Sequence, residues 1–131
     1  MFDSSMLHSI VAFLSYLFTA LALLVAFVAI YVRVTPYKEF ELIALDNSAV
    51  AITLSGAVLG FTFPLVSSIF YTQSLVEMCL WAVITCLVQL GVFVVLRRNA
   101  KRIEEGHIAS ALMVATFSVA VGLLNAVCIS H

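Results

Sequence analysis

Hydrophobic positions in this chain come in long unbroken runs, with the charged residues gathered between them. The stretches free of Asp, Glu, Lys and Arg are residues 4–32, 47–76, 78–96 and 106–131. Each is long enough for a helix to cross a bilayer core of about 30 Å, which takes about 20 residues. The pattern predicts four transmembrane helices, at about 9–32, 47–69, 78–96 and 108–129. Between the first two, Thr35-Pro36 offers an N-cap followed by a residue suited to the first helical position. Tyr37, Phe40 and Ile43 or Ala44 then recur at helical spacing. A short amphipathic helix in the membrane interface is expected there, with an irregular loop as the alternative. Asp46-Asn47-Ser48 supplies N-cap residues for the second long helix. Residues 71–74 form a polar turn, and Glu77 precedes the third.

Composition agrees with a membrane protein. Of 131 residues, 64% are hydrophobic and 10% charged, against about 25% charged in soluble domains. Four crossings use most of the length, so one domain over 1–131 is expected. No Lys or Arg precedes the first run, and the run is too long for the apolar part of a signal peptide. It reads as a retained helix.

Charge sets the orientation. The basic residues form two clusters, Arg33 with Lys38, and Arg97, Arg98, Lys101 and Arg102. The positive-inside rule places both in the cytoplasm. The N-terminus, the 71–77 turn and the C-terminus then face the periplasm. Clusters this small, flanking helices, report topology and predict no nucleic-acid partner.

The chain is thus two helical hairpins of equal orientation, about 9–69 and 78–129. A 60-residue shift places Ile43, Ala49, Ala51 and Ile69 on Ile103, Ala109, Ala111 and Ile129 without a gap. Equal orientation implies a parallel repeat about an axis along the membrane normal. The expected fold is an all-α membrane protein of four transmembrane helices in two such hairpins.

In lipid, small residues mark helix contacts. The second long helix carries Ala49, Thr53, Gly56, Gly60 and Ser67 on one stripe, and the fourth carries Ala111, Ala115, Ser118, Gly122 and Asn125. These two helices are expected at the centre, with the bulkier first and third toward lipid. In the 60-residue frame the stripes differ in phase by two positions. Either the frame slips or the faces are not equivalent. Pro64 withdraws the donor for the Gly60 carbonyl and predicts a kink. Gln89, Asn125, Thr62 and Ser55 are candidates for an intramembrane polar cluster, which either bonds helices together or lines a polar cavity.

Candidate chemistry is sparse. No Asp, Glu, Lys or Arg falls within a helix core, whereas proton relays and ion-coupled pumps use such groups. No nucleophile triad or phosphate loop is present. His8, His107 and His131 are scattered, and Cys79, Cys86 and Cys128 form no C-x-x-C pair, which argues against a metal site. No catalytic residue and no cofactor are expected. Cys79 and Cys128 share a depth near the outer ends of their helices, yet free thiols are the expected state, since depth alone does not satisfy disulfide geometry.

The run Val34-Thr35-Pro36-Tyr37-Lys38-Glu39-Phe40-Glu41-Leu42-Ile43 followed by Asp46-Asn47-Ser48-Ala49 resembles the first loop of the YjfL-type small inner-membrane proteins. These form the bacterial domain of unknown function family three hundred and fifty. Ser55-Gly56 through Leu59-Gly60 to Pro64-Leu65, and Asn125-Ala126-Val127-Cys128, fit the same pattern. The resemblance spans essentially the whole chain. It implies a bacterial cytoplasmic-membrane protein of four helices in two repeats, without supplying catalytic residues. Gene neighbourhoods of some relatives, with ligase-like, polyamine-related and envelope-stress proteins, imply a membrane subunit serving soluble partners.

The expected function is a non-enzymatic inner-membrane component that forms homo-oligomers or docks soluble or membrane proteins, in envelope maintenance or stress. The alternative is a small oligomeric channel or transporter for a small polar solute.

Overall fold

The computed structural model describes residues 4–35, 38–71, 74–96 and 100–129. Six helices follow in order: α1 (Ser4–Val34), α2 (Glu39–Ala44), α3 (Ser48–Tyr71), α4 (Leu75–Val95), α5 (Ala100–Glu104) and α6 (Ile108–Ile129). Four of them, α1, α3, α4 and α6, are long and apolar enough to cross a membrane. The described part is all-α.

The helix ends show how the sequence sets these bounds. Asn47 caps α3, its Oδ1 accepting from the Val50 N–H at 3.2 Å. Helix α4 begins three residues earlier than its apolar run suggests. Ser74 Oγ accepts from the Glu77 N–H at 3.5 Å, so Glu77 sits inside the first turn, where a negative charge suits the helix dipole. Helix α1 is also longer than its apolar run. Its 31 residues make a rod of about 46 Å, more than the hydrocarbon core requires. A short helix is present in the first loop as α2. Its expected Thr-Pro start falls partly on Pro36 and Tyr37, outside the described residues. Thr35 itself extends α1, its N–H bonding to the Tyr31 carbonyl at 3.1 Å.

The turns into α3 and α6 share one hydrogen-bond scheme, offset by 60 residues. In the first, the Asp46 N–H reaches Ile43 O and the Asn47 N–H reaches Leu42 O, both at 2.9 Å. In the second, the Gly106 N–H reaches Ile103 O at 3.0 Å and the His107 N–H reaches Arg102 O at 2.9 Å. Both are Schellman closures, which need a left-handed residue at one position. Asp46 (φ 62) and Gly106 (φ 93) fill it. The two turns also touch: Asn47 Nδ2 donates to the Glu104 carbonyl at 2.9 Å. The short helix α5 lies where the sequence predicts a basic loop, and it enters its turn as α2 enters the first.

Helix α3 lies at the centre. It packs closely along α6 and more lightly against α4 and α1. The expectation of α3 and α6 together at the centre needs adjustment. α6 buries only one stripe, including Ala111, Val114, Ala115, Ser118 and Gly122. Leu112, Met113, Phe117, Leu123 and Leu124 cover its other sides and stay exposed, so α6 faces lipid about as much as α4 does. Helix α1 is peripheral and buries only Phe27 and Tyr31. Phe27 stacks on Phe61 at 4.4 Å between ring centres, and Tyr31 meets Phe93 edge-on at 5.7 Å. These aromatic contacts fasten the basic end of α1 to α3 and α4.

Candidate functional site

Polar side chains at membrane depth gather where α3, α4 and α6 meet, and glycines allow that meeting. A β-carbon on Gly56 would lie 2.5 Å from both Cα and Cβ of Ala115. One on Gly60 would lie 2.6 Å from Gln89 Nε2 and closer to the Ser118 carbonyl. Helix backbones can approach this closely only where side chains are absent.

Hydrogen bonds between described residues cross the seam. Gln89 Nε2 donates to the Ser118 carbonyl at 3.0 Å. Asn125 Nδ2 donates to Thr85 Oγ1 at 3.0 Å. Ser67 Oγ donates to the Ala126 carbonyl at 2.7 Å. Gln89 is buried, and its Oε1 has no hydrogen-bond partner among the described residues. Pro64 lies within α3, which stays helical through it, and it has no N–H to offer the Gly60 carbonyl. Two acceptors around Gly60 thus lack the donors expected for them.

The four candidate polar residues do not converge. Gln89 and Asn125 lie in the seam, each with its own partner. Thr62 bonds within its own helix to the Val58 carbonyl at 2.7 Å. Ser55 is exposed on a groove between α3 and α6 of about 610 Å³, lined by small residues such as Ala51, Thr116 and Ala120 and by Ile52, Leu59, Val119 and Leu123. Sequence reasoning missed Thr85, although it stands one helical turn from Gln89 on the same face. Ser118 and Gly122, expected at helix contacts, lie in the seam. The phase difference between the stripes also has a structural source. Gly60 is buried while Ala120, 60 residues on, is exposed. The turns keep the 60-residue frame, and the helix faces beyond them are not equivalent.

An apolar cavity of about 250 Å³ lies between α1, α3 and α4, lined by residues such as Phe27, Phe61, Ala82 and Cys86. It takes in none of the seam's polar groups.

The second polar feature lies at the basic end. Arg33, Lys38, Lys101 and Arg102 are all exposed there, and Arg97 and Arg98 lie outside the described residues. Among these charges one acid is buried. Glu39, the first residue of α2, is 2% exposed. The Thr35 hydroxyl bonds to Glu39 Oε1 and also lies 3.2 Å from the Val32 carbonyl. Glu39 Oε2 has no partner among the described residues. Burial pushes the Glu39 carboxyl above its ordinary value, outweighing the hydrogen bonds from Thr35 and its own backbone that pull it down. Sequence reading misses this burial, because a glutamate on a short amphipathic helix reads as its solvent face. Among the described residues, no group of three or more His, Cys, Asp and Glu is placed to hold a metal ion.

The family model described as Domain of Unknown Function (DUF350) matches residues 5–129. The UPF0719 inner membrane protein YjfL of Escherichia coli strain K12 is 32% identical over 128 residues, covering 95% of this chain and 97% of that protein. The protein of the same name from Escherichia coli O157:H7 matches equally. No solved structure matches.

Proposed function

The chain belongs to the DUF350 family, and from that premise we propose that it is a non-enzymatic scaffold that pairs with further copies of itself through the groove between α3 and α6. It is a multi-pass membrane component of the inner membrane, where its relative YjfL resides. One observation carries the scaffold reading. Gln89, Asn125 and Ser67 are engaged in helix-to-helix bonds at a seam too tight for a β-carbon, while beside it a groove stays open whose floor of Ala51, Ser55, Thr116 and Ala120 is flanked by Ile52, Leu59, Val119 and Leu123. Such a groove suits the close approach of another helix.

The small-residue surface divides between two uses. Gly56, Gly60 and Gly122 serve the contact between α3 and α6 inside the protomer. Ala51, Ser55, Thr116 and Ala120 remain for a neighbour. The matched turns at Asp46 and Gly106 support reading the chain as two hairpin repeats, about 9–69 and 78–129, with cytoplasmic basic loops and periplasmic termini. Docking of a soluble or membrane protein on the same scaffold is the nearest variant. A solute path within the protomer finds less support, because glycine backbones close the seam where its walls would be.

The test is crosslinking in native membranes from Ala120→Cys, in a chain whose own cysteines are replaced by alanine, followed by identification of the captured partner. A self-crosslink that weakens with Thr116→Leu is expected. Capture of a different protein alone would favour the docking variant. A monomeric extract with no crosslink would sink self-association.

A further inference from the structure

Independently of that reading, we propose that α2 is a pH-operated latch, seated on the head of α3 while the Glu39 carboxyl is neutral and released when it ionises. Helix α2 has six residues, too few to hold together without tertiary contacts. Its seat consists of Glu39, which is buried, and Leu42 and Ile43, which are half-buried against the core. Glu39 therefore stands at the point on which the position of α2 depends.

The carboxyl has a poor site for a negative charge. Among the described residues, its hydrogen bonds are limited to the Thr35 hydroxyl on Oε1 and its own backbone N–H, and burial outweighs both. Oε2 meets nothing among the described residues. A neutral acid tolerates this environment, and a carboxylate does not. Among the described residues, the neighbouring groups do not change that. The head of α3 presents Ala49, Val50 and Thr53, which carry no charge. Tyr31 of α1 is the other titratable side chain that is buried here. Arg33 of α1, Lys38 just before α2, Glu41 of α2, Asp46 of the turn, and Lys101, Arg102 and Glu104 of α5 are all exposed. Lys38 and Glu41 also stand 4.0 Å apart, so each already has an opposite charge nearby.

Release has a short path. Lys38, Phe40 and Glu41 are already exposed on either side of Glu39, and α2 ends at the left-handed turn of Asp46, where only the Asp46 and Asn47 N–H bonds to Ile43 O and Leu42 O need open for it to pivot. Swinging six residues outward ionises Glu39 in water and leaves the four long helices in place. The seated state holds its proton more tightly than the released state does. Its advantage is therefore full below the ordinary carboxyl value of 4.5 and is lost as pH rises through the raised value. Alkaline conditions open the latch and acid conditions close it.

Leu42→Cys, in a chain with Cys79, Cys86 and Cys128 replaced by alanine, reports the seat. The rate of maleimide labelling in liposomes is measured from acid to mildly alkaline pH. It is divided by the rate for the same protein carrying Glu39→Gln, which cancels the pH dependence of the thiol. A rise in this ratio, of at most about tenfold per pH unit because one proton is involved, is expected. Amide exchange of Leu42 and Ile43 in the otherwise native chain, again relative to Glu39→Gln, should move in the same direction. A flat ratio in both measurements, as from a carboxylate held ionised by a cation at every pH, would overturn the latch.

Discussion

Gly122 of α6 rests directly on the backbone of Gly60 in α3. A β-carbon on Gly122 would lie 2.6 Å from Gly60 Cα and closer still to the Gly60 carbonyl oxygen. Pro64 withholds from that carbonyl its helical donor. The contact therefore sets a Cα–H group beside an acceptor that has lost its ordinary partner, an arrangement that recurs at helix interfaces. Proline and the two glycines act together, and none is explained alone.

Substituting these glycines should be costly in proportion to the space lost. Gly60→Ala and Gly122→Ala should each destabilise the protomer by about 1–3 kcal/mol, the usual cost of overpacking. Gly91 has nothing within 4 Å of its notional β-carbon. Gly91→Ala should be neutral or stabilising, by up to about 1 kcal/mol, through helix propensity. Reversible unfolding in mild detergent measures all three, and equal effects at Gly60 and Gly91 would contradict the seam.

The Asn125 to Thr85 hydrogen bond should be measurable but small. A double-mutant cycle with Thr85→Val and Asn125→Leu should give a coupling of about 0.6 kcal/mol, the typical value between membrane helices. No coupling within error would mean that the two side chains find other partners.

Topology follows from the basic residues. An alkaline phosphatase fused at Gln73 or His131 should be active, since both sites are expected in the periplasm. Fusions at Lys38 or Lys101 should be inactive. Activity at Lys38 would invert the orientation. Gln73 and His131 lie outside the described residues, so this assignment rests on charge.

All three thiols are free: Cys79 and Cys86 are partly buried, and Cys128 is exposed. Alkylation of denatured protein without reductant should give a mass with three modified cysteines. A mass with one modification would indicate a Cys79–Cys128 bond.

The four spans were legible because unbroken apolar runs of this length have few other uses. Their ends were less so. The apolar run hides the Ser74 and Glu77 cap of α4, since capping depends on polar side chains that a hydropathy reading counts as loop. Helix α5 was hidden by its lysine and arginine, although Ile103 already stood over Ile43 in the 60-residue frame. Gly56 and Gly60 were visible as contact residues, but spacing cannot say whether the contact lies within one chain or between two. The burial of Glu39 could not be read, because it depends on α2 folding back onto α3, a tertiary relation with no local signature.

The side-chain bond from Asn47 to the Glu104 carbonyl joins two parts of the chain that the ribosome makes at different times. When α3 first enters the membrane, neither residue 104 nor α6 has been synthesised. Asn47 must then be satisfied by water or headgroups, and the glycine face of α3 lies open to lipid. The half-made chain is thus the form most open to wrong pairing, and the closing of this bond marks the end of that exposure. A chain truncated after residue 96 should accordingly crosslink from position 60 to foreign helices that the full-length protein excludes.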